Sequence, residues 1–510
     1  MKNSILILAV LLSVLAAGCT ETTEVQPEAY TESPYMEVSS DKLVFDADGG
    51  VAAIVVATNL EAWDYTSEGD WYSVTRQDDQ TLVVTTQING GPSTLSGSIT
   101  VSGSAGEQQF SATVTLAQRA ERSTDLSAEG TANCYIAHTN RSYKFNATVK
   151  GNGKGDGRSE YIAAHGVEIS NIATVELLWE SRNDGDKSMS REIIDGAPTY
   201  SGGYIAFSTG RSQGNALIAA KDQEGTILWS WHIWVCDDEI TAHDHNNGKE
   251  VVAQIMDRNL GALNNTPMDI NNRGMFYQWG RKDPFMPSRS PYVELTINDN
   301  LNAPENNLTN DEVGNGTGTW DFNGTALPID VIPGNIPYSV QNPMTYLKPC
   351  YSSYYTWYCM SDDAAACDTG LWDAEQKTIF DPCPVGYKVP GNELWGLPSG
   401  NDRIQTGGPV EDYAEDGSAE QWSWDVLKQC GRCWKFTGDY YPMVGNIYYT
   451  EYEGRNTTHN YTSGEAFYWT AQHAYDSSSR DSYRFTFNPN WAYYETGAPN
   501  FSAQIRCVKE

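Results

Sequence analysis

Thiols and imidazoles are the side chains whose spacing points most directly at chemistry. Cys430 and Cys433 stand in a CxxC, the spacing of redox pairs and of half a zinc site. No βαβ pattern adjoins it and no second CxxC is present, so a local structural disulfide is expected. His243-Asp244-His245 would set two imidazoles on one strand face, which suits a metal. No third or fourth ligand stands near in sequence, and Asn246, Asn247 and Gly248 follow, so an exposed linker is expected. Asn183-Asp184-Gly185-Asp186 lacks the six or more oxygen ligands and the fixed bidentate acid of a calcium loop and reads as a solvated turn. No metal or other cofactor is expected.

Cys19 offers a different reaction. It closes Leu15-Ala16-Ala17-Gly18-Cys19 behind Lys2 and an apolar run over residues 5–15, the arrangement of a bacterial lipoprotein signal. The run is too short for a spanning helix and reads as a cleaved targeting segment, residues 1–18, with Cys19 lipidated. At roughly 0.8 kcal/mol per buried CH₂, two or three acyl chains would hold the protein on a membrane. Thr20 rather than Asp follows the cysteine, and Glu21 and Glu24 come early. An outer-membrane lipoprotein exposed at the cell surface is expected.

Catalysis has less support. The chain carries 66 acidic and 33 basic residues, a formal charge of -33, which argues against nucleic acid and anionic headgroups as partners and otherwise serves solubility. Glycoside hydrolysis needs two facing carboxyl groups about 5 to 9.5 Å apart, and with this many acids such a pair remains a remote alternative. No nucleophile elbow, zinc-binding helix or phosphate loop occurs. No residue is assigned a catalytic role, and the expectation is a protein that is not an enzyme.

The elements that must position any site are mainly strands. A chain of 510 residues holds about three domains. Residues 19–35 are polar, with Pro27 and Pro34, and read as a flexible tether. Over residues 36–119 short alternating runs (Leu43-Val44-Phe45, Ile54-Val55-Val56, Leu82-Val83-Val84, Ile99-Thr100-Val101, Val114-Thr115-Leu116) recur between turn signals, the pattern of an immunoglobulin-like β-sandwich. Residues 124–236 read as a second β-sandwich, with strands expected over 132–137, 143–149, 173–179, 204–208, 216–220 and 227–235. In Trp229-Ser230-Trp231-His232-Ile233-Trp234 both faces are bulky, which predicts a buried strand. Ten cysteines are present; setting Cys19 aside leaves an odd number, so at least one thiol stays free or pairs outside the chain.

The first module resembles the BACON domain of exported Bacteroidetes proteins through Phe45 before Gly49-Gly50, Thr58-Asn59 followed by Trp63, Trp71, Gly97-Ser98-Ile99-Thr100-Val101 and Leu116-Ala117-Gln118. The family's name implies carbohydrate binding. Trp63 and Trp71 could stack on sugar rings or fill the sandwich core.

Residues 245–510 carry a second resemblance. Met256-Asp257-Arg258-Asn259-Leu260-Gly261-Ala262, then the run from Gly274-Met275-Phe276-Tyr277-Gln278-Trp279 to Gly280-Arg281-Lys282-Asp283-Pro284-Phe285, then Asp381-Pro382-Cys383-Pro384-Val385-Gly386-Tyr387, Tyr468-Trp469-Thr470 and Ile505-Arg506-Cys507-Val508 together resemble the Fibrobacter succinogenes major paralogous domain. The Cys-Pro opening and Arg-Cys-Val ending are also similar to C-type-lectin-like α+β folds, whose two ends meet, and this resemblance implies a Cys383–Cys507 disulfide. The calcium-holding strings of such lectins are missing; Asn488-Pro489-Asn490-Trp491 comes nearest and lacks the carboxylate, which implies any sugar binding is calcium-independent. Cys359 with Cys367 is a second candidate pair. Trp395, Trp422, Trp424, Trp434, Tyr440, Tyr441, Tyr448, Tyr449 and Trp491 lie in Gly-, Asn- and Ser-rich stretches, where aromatic rings can be presented to a ligand, and form the candidate recognition surface. The expected fold is mainly β and multidomain: two β-sandwiches followed by an α+β C-type-lectin-like domain. The expected function is a lipid-anchored surface adhesin or glycan-binding protein. The alternative is a structural or protein-binding part of a surface assembly, such as a fimbrial tip or a polysaccharide-uptake complex.

Overall fold

The computed structural model describes residues 33–510 apart from 92, 121–122, 155–159, 182–191, 268, 286–331, 346, 348–355, 359–369, 398–403, 406–409, 413–430, 453–454, 462–464, 476–479 and 489–490. Cys19, the Asn183–Asp186 turn, Trp422, Trp424, Cys359, Cys367 and Cys430 lie outside the described residues, as do the side chains of Tyr448 and Tyr449. The chain is mainly β and multidomain, as its alternating runs predict.

The first module has eight strands: β1 (Met36–Val38), β2 (Lys42–Phe45), β3 (Gly50–Thr58), β4 (Trp63–Glu68), β5 (Tyr72–Arg76), β6 (Thr81–Thr86), β7 (Leu95–Ala105) and β8 (Gln108–Gln118). One sheet runs β2-β8-β7-β4, and the other places β5, β6, β3 and β1 side by side. Alternation decides the packing: Leu82, Val84, Ile99, Val101, Val114 and Leu116 point into a dry core while their sequence neighbours face outward. Trp63 belongs to that core, with its Nε1 donating to the Asp79 carbonyl at 2.9 Å and the Arg76 guanidinium 3.9 Å from its ring. Trp71 is half-buried edge-on against Phe45 and Tyr72, its Nε1 donating to the Ser96 carbonyl. Both rings are engaged as packing.

The second module has β9 (Thr124–Asp125), β10 (Cys134–Ala137), β11 (Ser142–Asn146), β12 (Thr174–Ser181), β13 (Thr199–Ser201), β14 (Tyr204–Ser208), β15 (Gly214–Lys221) and β16 (Ile227–Val235). Strands β13-β14-β11-β9 face β10-β16-β15-β12 across a core where Phe145 meets Trp231 at 5.2 Å. The all-bulky run behaves as expected: Trp229, Trp231 and Trp234 are fully buried on β16.

Two junctions tie the modules together. β13 pairs with β3 through Tyr200 and Val51, beyond the stretch that β1 covers, so the two modules share one sheet. Lys42–Asp195 at 2.8 Å and Lys144–Asp48 at 3.0 Å cross the same seam. A side chain at Gly50 would put its Cβ 2.9 Å from the Tyr200 carbonyl oxygen, and backbone cannot yield there. Gly50→Ala is therefore expected to cost about 1–3 kcal/mol of overpacking and to expose the seam to limited proteolysis; cleavage unchanged from wild type would refute the close approach.

The second junction is deeper. Cys134, Trp179, Trp229, Trp231 and Trp234 belong to the same hydrophobic core as Phe276, Trp279, Trp357, Cys383 and Cys507. Asn133 clamps the contact: its Nδ2 donates to the carbonyls of Ile379 and Asp381, and its Oδ1 accepts from Trp229 Nε1. The second module and the C-terminal head thus fold on one core.

Within the head, the five motifs scattered along the sequence converge. Trp279 Nε1 donates to the Thr470 carbonyl, Trp469 Nε1 donates to the Tyr277 carbonyl, and Gln278 Nε2 donates to the carbonyls of Leu347 and Asn500. Asp381 accepts from the backbone of Cys383 and Val389 and pairs with buried Lys377 at 2.7 Å. Cys383 and Cys507 are joined, as the lectin-like resemblance implies, across a sequence separation of 124. Cys134 and Cys236 are buried free thiols, which meets the expectation that some thiol stays unpaired.

Candidate functional site

The expected aromatic surface is corrected by the structure. Trp395, Trp434 and Tyr441 are fully buried and Tyr440 nearly so. Trp395 stacks on Phe485 at 4.7 Å, and Tyr441, Tyr468, Phe487 and Tyr494 complete a second core. The physical reason is that Trp434, Tyr440 and Tyr441 lie not on presented loops but on the short paired strands Gly431–Trp434 and Tyr440–Pro442, buried on both faces, and burying such large rings stabilises the domain. Trp491 alone of the described candidates is partly exposed, with its ring 4.6 Å from that of Tyr493.

A second correction concerns His243 and His245. They are not in a linker but on strand β17 (Ala242–Asn246), which pairs with β18 (Val251–Met256) as a hairpin. Asn246-Asn247-Gly248, read as linker composition, forms the hairpin turn, in which Asn246 Oδ1 accepts from Gly248 N and Asn247 Oδ1 from Lys249 N. Period two puts both imidazoles on one face, and there they meet Asp439. His243 Nε2 lies 2.7 Å from Asp439 Oδ1, and His245 Nδ1 lies 3.7 Å from Oδ2. The first is a short contact with poor N–H alignment and the second lies beyond hydrogen-bond reach, so charge attraction carries much of the pairing.

The turn bearing Asp439 is held on the hairpin by neighbouring contacts. Trp434 Nε1 donates to the Asn246 carbonyl at 2.7 Å, the His245 ring stacks on Trp434 at 5.5 Å, and the Thr437 hydroxyl donates to Asp439 Oδ2 at 2.5 Å. Phe436 projects outward, 45% exposed, and leans against Gly248. Burial alone would push the Asp439 carboxyl up, but the two imidazoles, the Arg506 charge and the Thr437 hydroxyl outweigh it and hold it far below the usual range. The Asp439 carboxylate raises His243 above its ordinary value, against partial burial and Arg506. Among the described residues no group of three His, Cys, Asp or Glu is arranged to hold a metal ion; at this site the carboxylate touches His243 directly and Arg506 adds positive charge. The arrangement can exchange a proton and can display one aromatic ring. The sequence carried the His-x-His, but its partner lies nearly two hundred residues away with no local signal.

A cleft of about 170 Å³ lies between the first two modules, lined in part by Val55, Gln77, Asp78, Glu176, Lys221 and Glu224. It is smaller than the roughly 300–1,000 Å³ of ordinary ligand pockets and reads as the seam between the sheets.

Residues 35–118, the sandwich with Trp63 and Trp71 packed inward, match the family model described as Viral BACON domain. This segment is similar to a BACON domain. No curated protein matches the chain in sequence. Among solved structures, the chain is similar to a Bacteroides ovatus GH5 xyloglucanase in complex with a XXXG heptasaccharide, at 16% identity, over 21% of this chain and 27% of that one, with a TM-score of 0.15. It is also similar to a Bacteroides thetaiotaomicron protein solved by NMR, at 20% identity over 19% of this chain and 95% of that one, TM-score 0.14. A chimeric titin Z1Z2 aligns at 12% identity over 41% of this chain and all of that one, TM-score 0.15. The chain spans about a quarter of the xyloglucanase it matches. Among the described residues no helix is long and apolar enough to cross a membrane.

Proposed function

We propose that this chain is a lipid-anchored cell-surface adhesin or glycan-binding protein, fixed to the outer membrane through Cys19, in which the BACON domain and the second β-module carry the head formed by residues 245–510. The observation that carries the reading is the similarity of residues 35–118 to a BACON domain, in a mainly β chain whose sheet continues from that domain into the next. The head resembles the Fibrobacter succinogenes major paralogous domain through motifs that all meet in its core. Calcium-dependent sugar recognition is not part of this reading, since the lectin strings that hold the ion are missing.

A glycan array tests it, using the whole chain without its first 19 residues, because a fragment starting at residue 245 would expose the core it shares with β16. Binding to a defined set of glycans, unchanged by chelator, is the expected result. No glycan bound, together with recovery of a specific protein partner, would overturn it in favour of a structural part of a surface assembly.

A further inference from the structure

The interlocked hairpin and turn hold titratable groups that the recognition reading does not use. His243 is partly open to solvent, with its side chain 37% exposed, whereas the Asp439 side chain it faces is 8% exposed. His245 is fully buried and neither of its ring nitrogens has a hydrogen-bond partner. The other charges that bear on His243 are Arg506, in the segment before the strand Val508–Lys509, and Asp257, which follows β18; they act in opposite directions. Asp244 accepts from Gln254 Nε2 elsewhere on the hairpin. The turn itself is short: Gly438 N donates to the Trp434 carbonyl and Trp434 N to the Asp439 carbonyl. Whatever holds Asp439 in place therefore also sets where Phe436 points.

We propose that His243, Asp439 and His245 form a proton-dependent latch that fixes the turn carrying Phe436 against the β17–β18 hairpin. With His243 charged, the buried carboxylate faces a cation and the turn is held. With His243 neutral, that Coulombic hold is gone and Asp439 keeps the Thr437 hydroxyl, the His245 ring and the more distant Arg506 charge, so the turn opens more often. Proton linkage fixes the direction. The folded state binds the His243 proton more tightly than the unfolded chain, so the contribution is full below the ordinary histidine value of 6.5 and is lost as pH rises through the higher folded value. Asp439 works the other way. Its carboxyl is held low, so its contribution is full above 3.8 and is lost as pH falls below that. The latch is tightest between these limits. This inference stands whatever the head binds.

Hydrogen exchange on the full chain, corrected for the intrinsic pH dependence of amide exchange, tests it at about pH 6 and about pH 8.5, either side of the histidine transition. Amides of residues 434–441 are expected to lose protection severalfold at the higher pH, while those of β16 keep theirs. In His243→Gln, protection in the turn should be low and equal at both pH values. Wild-type protection that does not change with pH, or a change that persists in His243→Gln, would overturn the latch. Gly248→Ala supplies a second readout at residues distinct from the titrating groups. Gly248 has φ +94°, and an added Cβ would lie 2.7 Å from the Phe436 ring. This variant should loosen the turn at both pH values while leaving a pH dependence; complete loss of that dependence would show that ring packing, not the proton, holds the turn.

Discussion

Replacing Cys383 and Cys507 together with alanine is expected to lower the stability of the head by about 4 kcal/mol, the loop-closure entropy of a crosslink spanning more than a hundred residues. The two cysteines are 124 positions apart and both are fully buried. Cys507 precedes the strand Val508–Lys509, which pairs with Ile255 on one side and with Tyr387 and Lys388 on the other. Without the bond, that closing strand is held by a few ladder hydrogen bonds and by the packing of Val508 and its neighbours. For a cooperative unit of about 390 residues, with an unfolding entropy of about 2.1 cal/mol/K per residue, each kcal/mol is worth roughly 1 °C, and the midpoint should fall by on the order of 5 °C in calorimetry. Because the head and the second module share one core, they should melt in a single transition that moves as a whole. A shift of under about 2 °C would mean that the closed end is maintained by packing alone.

Asp283→Ala is expected to be about as costly, at about 3–5 kcal/mol, because it leaves a buried ammonium without its counter-charge. Lys282 Nζ lies 2.6 Å from Asp283 Oδ1 and donates to the carbonyl and hydroxyl of Ser230, whose own hydroxyl donates to the same carboxylate at 2.7 Å. The ammonium also sits 4.5 Å from the Trp229 ring. Burial pulls Lys282 down to about 8, with Asp283 opposing. Between about 8 and the ordinary lysine value of 10.5 the unfolded chain holds a proton that the folded one has released, so wild-type stability rises with pH across that window. Urea melts of Asp283→Ala should show the loss near neutral pH, with partial recovery at alkaline pH as Lys282 sheds its charge. Pairing the change with Lys282→Met should restore most of the stability, since a buried ion pair is replaceable by apolar side chains of similar volume. A single variant within about 1 kcal/mol of wild type would show that water reaches the site.

This cluster also shows how much could be read in advance. Gly280-Arg281-Lys282-Asp283 stood out in the sequence only as part of a resemblance, and its reason is physical: one strand, β16, meets it in the core through Ser230 and Trp229. Strands were legible wherever one face is dry, as in β6 and β11, because period-two burial writes itself into composition. The aromatic residues of the head were not, since Trp395 ends a single 3-10 turn and Tyr441 sits in the three-residue strand Tyr440–Pro442, buried throughout, where no period separates an inward ring from an outward one. His243 and His245 were misjudged for a related reason: their turn residues were visible, but Asp439, which gives them a role, arrives from a distant part of the chain.

The covalent closure of the head bears on what happens under tension. A chain pulled until its folded parts give way lengthens by the contour it releases, up to about 3.4 Å for each residue freed. The 124 positions bridged by Cys383 and Cys507 would add roughly 400 Å of slack if the bond were absent. With it, a load applied across the bridge passes from one sulfur to the other, and the enclosed segment, which includes Asp439 and Phe436, bears none of it. Mechanical extension of the oxidised and reduced chain should therefore differ by about that length.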